Sequence, residues 1–526
     1  MKLFPALSIA LGLFVGSVQA TPVSYRSMAF PRPTGLEAWM IDEGAALGFN
    51  DVCLHTEYSN QERQILAARD HLVETGALEK IEQQGMTISL WTREWVDVDE
   101  SWGDLSTDNP LVWEKVSDRY DRILDVLFPE VDYLVFITAE TKIDLEGEAY
   151  FRMVNLVHEK CVSRGKKLIL RNFSHSPNEL NQWPERAKRL PDDIIIQTKC
   201  VPIDWSLRAK AHPLIGKSPG HIEFVEFDAG GEYFRRDHMA VCATEYFEPL
   251  YNDAEQHGMK GISIRVERYD HHVFAHPNFI NTYYLLGRAT GAFKNADEAW
   301  KAFTESYYGK EIAAEMEAIL RPTGEVFAES IHILDDIFGN SARDYLGAWK
   351  GDPIISEPYG WSYSPRNWAK PLFPDYDNSH FEAIDTGAPR IVDLETAAYK
   401  TQLESINQSI RRLEALKPKL DENTYLLHQW LLEETRFHLI LMEEATLAWL
   451  YIKRIESGNA GDIDSTNQLI DQHLEKIKAL IEQTSEAIDI QWRGRHHKAT
   501  RGDYYDLPRL LRDFTDWRVK LENQEN

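Results

Sequence analysis

Gly261-Ile-Ser-Ile-Arg-Val266 is the stretch that decides the fold. It is a short apolar, β-branched run, and seven runs of the same texture precede it. Reading back toward the N-terminus they occupy 222–227, 194–199, 167–172, 133–138, 87–92, 51–56 and 25–30. Polar stretches of helical character fill most of the gaps. Strands that alternate with helices build either an open doubly wound sheet or a closed (β/α)₈ barrel. Eight of them select the barrel.

Working outward from the strands, ionisable residues gather just past their C-terminal ends. The second run is followed by His55-Thr-Glu57, the third by Arg93-Glu-Trp95 and the fourth by Thr138-Ala-Glu140. The fifth ends on Arg171-Asn172, and the sixth runs from Lys199 into Asp204. The seventh passes from Asp228 through Gly230-Gly231 to Glu232, and the eighth from Arg265 to His272. A (β/α)₈ barrel assembles its active site on this face, from these loops.

Beyond about residue 295 the texture changes. The segment 292–340 reads as helix, and 346–390 is rich in Pro, Gly and aromatics, among them Trp361 and Trp368. Amphipathic helical runs follow to the end. The expected organisation is a barrel over 21–295 and an all-α C-terminal domain over 296–526. The first twenty residues read as a signal peptide: Lys2, an apolar core from Phe4 to Val15, and Val18-Gln-Ala20 as a cleavage site. That core is too short for a spanning helix, which needs about 20 residues. A periplasmic or secreted protein without a membrane span is expected.

Of the 526 residues 43% are hydrophobic and 27% charged, as in an ordinary globular protein. The net charge of −27 excludes a general phosphate-neutralising surface, and with it nucleic acid as a partner. A site for an anionic substrate would need locally concentrated Arg and Lys. The one dense basic cluster, Arg493-Gly-Arg-His-His-Lys-Ala-Thr-Arg501, is expected as a loop, over the pocket or in solvent. Cys53, Cys161, Cys200 and Cys242 are widely spread and read as buried free thiols. No CxxC or His/Cys spacing suggests a metal, and no cofactor is implied.

Glycosidic bond cleavage needs a protonated carboxylic acid at the leaving oxygen and a second carboxylate to activate water or to attack directly. Glu140, Asp204 and Glu232, past the fourth, sixth and seventh strands, are the candidates. Spacing alone allows retention as well as inversion.

The run Ile194-Ile-Ile-Gln-Thr-Lys-Cys-Val-Pro-Ile-Asp204-Trp205, followed by His212-Pro-Leu-Ile-Gly216, resembles the signature stretch of the xylan α-1,2-glucuronidases. In that family a lysine stands five residues before an aspartate, and a glutamate followed by tyrosine stands twenty-eight residues further on. Lys199, Asp204 and Glu232-Tyr233 keep both spacings. Thr107-Asp-Asn-Pro-Leu111, Pro129-Glu-Val-Asp-Tyr-Leu-Val-Phe136 and Ala139-Glu140 are similar to the family's fourth-strand segment. The resemblance spans roughly 25–310. It implies Glu140 as general acid, Asp204 and Glu232 as the pair that holds and deprotonates water, and inversion. Arg171 falls where the family has a carboxylate-binding arginine, so the implied substrate is an α-linked uronic acid on an oligosaccharide or polysaccharide. Lys199 joins Arg171 as a cation for that carboxylate. Lys142 stands in for a family lysine whose own position holds Phe136, and Trp361 and Trp368 are candidate stacking platforms.

Two alternatives stand beside this reading. One is a retaining barrel glycosidase acting on a neutral sugar, with Phe136 marking a pocket retuned for it. The other is a non-catalytic polysaccharide-binding protein, whose mark would be the loss of a catalytic carboxylate; all three are present.

Overall fold

The computed structural model describes residues 23–519, apart from 32, 57–60, 94–106, 139–146, 173–176, 203–206, 230–238, 267–273, 275, 334–335, 338–382, 385, 484–486, 493–494, 501–510, 513 and 517–518. The leader, Lys142, Trp361 and Trp368 lie outside the described residues. Among the described residues no helix is long and apolar enough to cross a membrane.

Eight parallel strands close into a barrel in chain order: β1 (Tyr25–Phe30), β2 (Asp51–His55), β3 (Thr87–Arg93), β4 (Tyr133–Ile137), β5 (Lys167–Asn172), β6 (Ile195–Lys199), β7 (Glu223–Asp228) and β8 (Gly261–Arg265). β8 pairs back onto β1 with Tyr25 opposite Gly261. Every expected strand is present within one residue at each end. Around the barrel run α1 (Ala38–Leu47), α2 (Gln61–Glu74), α3 (Ala77–Gln83), α4 (Pro110–Arg122), α5 (Glu148–Val162), α6 (Pro177–Ala187), α7 (Thr244–Gln256) and α8 (Phe279–Thr290). Between β6 and β7 no helix occurs among the described residues. Pro213, Gly216, Pro219 and Gly220 crowd that connection, and each is a poor helix former.

The period of two sorts the strand side chains into two layers. Outward residues such as Val52, Leu134, Phe136, Leu170, Ile196 and Phe227 join the core between the sheet and the helices. Inward residues fill the barrel: Tyr25, Ala29, Cys53, Trp91, Val135, Ile137, Ile169, Ile195 and Phe224 form their own cluster. At the lower end Tyr25 stacks on Phe224, ring centroids 4.3 Å apart. That plug requires Gly261, because a Cβ there would lie 2.2 Å from the Phe224 ring. Beside it the Tyr25 hydroxyl donates to Asp51 at 2.9 Å, and burial pushes the Asp51 carboxyl up to about 6. All four cysteines are buried free thiols.

The layer assignment corrects one expectation. Phe136 packs edge-on against Tyr120 of α4, centroids 6.0 Å apart, with none of its surface exposed. It belongs to the helix-facing layer, so its identity does not tune a pocket inside the barrel. The neighbouring stretch Thr107–Leu111 proves to be a helix start: Asn109 Oδ1 accepts from Leu111 N at 3.1 Å and Pro110 opens α4.

The chain continues through α9 (Ala296–Tyr308), α10 (Ala313–Leu320) and α11 (Thr323–Ile331) into three long helices, α12 (Pro389–Leu416), α13 (Glu422–Glu456) and α14 (Ile463–Ile481). α13 lies between α12 and α14 and also packs on α11. Two short antiparallel pairs interrupt the helical region. His332–Ile333 pairs with Asp336–Ile337, and Ala487–Trp492 with Arg495–Thr500. Most of the basic segment expected as a loop is therefore a strand, drawn into pairing by the alternating run Ala487-Ile-Asp-Ile-Gln-Trp492 before it.

His428 joins α13 to α9. Its Nδ1 donates to Thr424 O at 2.7 Å, which leaves Nε2 to accept from the Tyr308 hydroxyl at 2.9 Å. Burial holds this neutral imidazole down to about 4. His212 and His332 are likewise buried and pushed down to about 3. In each case the unfolded chain takes up a proton that the folded chain refuses. The stabilisation is full above about pH 6.5 and is lost as pH falls below it. For His428 alone, linkage removes ~3 kcal/mol of stability as pH falls from about 6.5 to below about 4. His428→Gln is expected to flatten the fall in unfolding temperature between pH 6.5 and 4 relative to wild type. An unchanged slope by calorimetry would contradict the burial of this ring.

Candidate active site

β4, β6 and β7 leave the barrel at Ile137, Lys199 and Asp228, three, five and four residues before Glu140, Asp204 and Glu232. Those three carboxylates lie outside the described residues. The inward faces of the same strand ends are described, and they carry charge. Arg171 is the last but one residue of β5, Lys199 the last of β6, Asp228 the last of β7 and Arg265 the last of β8. All four are at most 3% exposed.

Two of them, Arg171 and Arg265, meet on Glu226, two positions before the end of β7. Arg171 Nε donates to Glu226 Oε2 at 2.5 Å and Arg265 Nε to Oε1 at 2.6 Å, while Gln197 Nε2 reaches Oε2 at 3.3 Å. Burial by itself would raise the Glu226 pKa; Arg171 and Arg265 overcome it and hold the carboxyl well below the usual range. Both guanidiniums also lie over the ring of Trp91, 4.8 Å and 5.0 Å from its centroid. His55 packs against the same indole, its ring centroid 3.7 Å from that of Trp91. His212, just outside β6, is pushed down to about 3 first by burial and then by Lys199 and Arg171. Arg171 and Lys199 both stand at the C-terminal ends of adjacent parallel strands, which places them at one end of the barrel.

The described parts of the connections after β6 and β7 are tied to α8, α11 and α13 and to the residues that open them. Arg208 Nη2, four residues past Asp204, pairs with Glu329 of α11 at 2.6 Å and with Glu325 at 3.2 Å. The segment after Glu232's loop returns to the core at 240–243, buried and without regular structure. Each of its amides finds a side chain: Ala240 N donates to Thr435 Oγ1, Val241 N to Asn278 Oδ1, Cys242 N to Thr323 Oγ1 and Ala243 N to Asn281 Oδ1. Thr435 is on α13 and Asn281 on α8. Gly324 lets α11 approach this segment, since a Cβ there would lie 2.3 Å from Cys242 O.

Of the sequence-derived site residues, the described structure thus gathers Arg171 and Lys199 at one barrel end. Glu226 and Trp91 are not among the sequence-derived site residues, and Arg265 enters there only as a rim residue without a role. Their signal is the alternation itself: Phe224, Glu226 and Asp228 share the inward face, and a glutamate in mid-strand is costly unless paired.

No protein-family model matches the chain, and no curated protein does. Solved structures that it resembles include glycoside hydrolases. The O-GlcNAc hydrolase of Thermobaculum terrenum is 12% identical over 95% of this chain and 96% of that one, with a TM-score of 0.45. A family GH115 4-O-methyl-α-glucuronidase with specificity for decorated arabinogalactans is 12% identical over 88% of this chain and 59% of that one, TM-score 0.47. A family 5 enzyme from Prevotella bryantii, solved with a xyloglucan oligosaccharide, is 12% identical over 49% of this chain and 87% of that one, TM-score 0.35.

Proposed function

We propose that this chain is an exported, exo-acting glycoside hydrolase that removes α-linked uronic acid of the glucuronic type from polysaccharide-derived oligosaccharides, with inversion. The observation that carries the reading is the cation group of Arg171 and Lys199 at the barrel end from which the loops of Glu140, Asp204 and Glu232 depart. In a chain of net charge −27, buried cations at that end suit a substrate carboxylate. Glu140 protonates the leaving oxygen. Asp204 and Glu232 hold a water on the opposite face of the sugar and take its proton, which requires carboxyl groups roughly 6.5–9.5 Å apart. Proton NMR of the first-formed sugar tests the stereochemistry: the β-anomer from an α-linked substrate supports inversion, and the α-anomer supports a retaining enzyme.

Arg171→Lys tests the substrate class, because lysine keeps the charge but loses the planar fork. Hydrogen bonds to charged groups are worth about 1.5–3 kcal/mol, so kcat/KM on an α-glucuronide should drop ~10–100-fold. The matching neutral α-glucoside should lose far less. A wild-type preference for the neutral glucoside would overturn the uronide reading.

A further inference from the structure

We infer that a polar cleft between α10 and α12 is a second binding site, which takes a neutral stretch of the saccharide chain. The inference rests on the glycoside hydrolase reading for the class of ligand and extends it from the barrel to the helical region.

Three observations carry it. First, two helical stripes build the cleft. Ser405, Gln408, Ser409 and Arg412 line it from α12, and Ala314, Glu317, Ala318 and Arg321 from α10 and its C-cap. Each set follows the spacing i, i+3, i+4, i+7, which is one face of a helix. Where two helices pack, apolar side chains ordinarily fill such a seam. Here small and polar ones leave a volume of about 570 Å³, inside the range of roughly 300–1,000 Å³ usual for small-molecule sites.

Second, the polar groups of the α12 wall are unused within the protein. Arg412 makes no ion pair with a described residue, and the side chains of Ser405, Gln408 and Ser409 make no hydrogen bond with one. Ser409 is only 1% exposed, so its hydroxyl is largely withdrawn from solvent with no protein group in return. A ligand hydroxyl in the cleft would supply the missing partner.

Third, the charges of the cleft balance. Arg321 donates through Nε to Glu245, through Nη1 to Glu317 at 2.8 Å and through Nη2 to Asp297 at 2.6 Å. Among the lining residues Glu245 and Glu317 stand against Arg321 and Arg412, with no net charge left for an anion. Sugar hydroxyls suit this lining, because they accept from Arg412 and Gln408 and donate to serine and carboxylate oxygens. Glu245 also locates the cleft. It stands in the first turn of α7, which follows β7 and so begins at the end of the barrel where the strands finish.

Binding by the full-length protein tests the inference. An array of neutral oligosaccharides, xylohexaose and cellohexaose among them, selects the tightest neutral chain. That chain and D-glucuronate are then titrated by calorimetry into wild type, Arg412→Gln and Ser409→Ala. Arg412→Gln should weaken the neutral chain roughly tenfold or more, and Ser409→Ala roughly threefold or more. Ser409→Ala should not lower the unfolding temperature, since it deletes a hydroxyl that has no partner in the protein. A lowered unfolding temperature with unchanged binding would make Ser409 structural and overturn the inference. If Arg412→Gln does not fold, the Ser409→Ala titration decides alone.

The inference falls if the array retains no neutral oligosaccharide, or if the retained one binds the folded variants as tightly as wild type. It falls equally if Arg412→Gln weakens D-glucuronate in place of the neutral chain, which would make the cleft an anion site. A wild type that binds the neutral chain through the cleft but ignores D-glucuronate removes the uronide reading and leaves the cleft standing.

Discussion

Glu140→Gln should slow release of uronic acid from natural linkages by ~10²–10⁴-fold, the usual worth of a positioned proton donor. Glutamine keeps the size and the hydrogen bonds of the side chain but cannot give up a proton. An aryl uronide with a 4-nitrophenolate leaving group departs without protonation, so its kcat should fall far less. The ratio between the two substrates is the diagnostic. Asp204→Asn and Glu232→Gln should instead slow both substrates, because activation of water is needed whatever leaves. Equal losses on both substrates for Glu140→Gln would show that residue 140 is not the acid.

The largest expected effect on stability comes from Glu226→Ala. Removing one partner of a buried ionic group leaves the others desolvated, at a cost of ~3–5 kcal/mol. Here two guanidiniums are involved, each nearly inaccessible to solvent. The folded pKa of Glu226 is depressed, so its stabilisation is present above its unfolded value near 4.5 and is lost as pH falls below it. Denaturant unfolding at pH 7 should show the full difference between variant and wild type, and the difference should narrow in acid. An unchanged midpoint at pH 7 would mean that water reaches the triad. Total replacement by apolar residues would be a different experiment, since a buried ionic group exchanged whole for a packed hydrophobic one is often neutral.

The barrel was legible because each strand is a compact apolar run bounded by polar segments, and because pairing confines strand ends. Lys167–Asn172 is a clear case: polar residues at each end and Leu-Ile-Leu between them. The direction of each side chain is equally present in the period of two, and Phe136 shows its force. Position 136 aligns with a lysine in the resembling family, and alignment alone invites a pocket role. The parity of the strand sends the ring to α4 instead. Arg171 and Lys199 were found from sequence because they sit next to recognisable motifs. Glu226 escaped, and the partnership of Arg265 with it, because their meaning arises only when β5, β7 and β8 are brought around one axis. No local spacing encodes a contact between residues 171 and 265. The hairpin at 487–500 was hidden by its charge, which suggested solvent before it suggested pairing.

The amides of 240–243 bear on the order in which the protein is made. By residue 265 all eight strands have been synthesised and the sheet can close. Ala240 nevertheless waits for Thr435, 195 residues further along the chain. At a synthesis rate of about 5–20 residues per second, the ribosome takes roughly 10–40 s to deliver that partner. During this interval the β7 loop returns to a core that is not yet finished. A chain stopped after α8 could close its barrel, but Ala240 and Cys242 would lack the threonines that receive their amides. Such a fragment would be a folding intermediate and not a smaller version of the protein, with the segment 240–243 among the last parts of the molecule to settle.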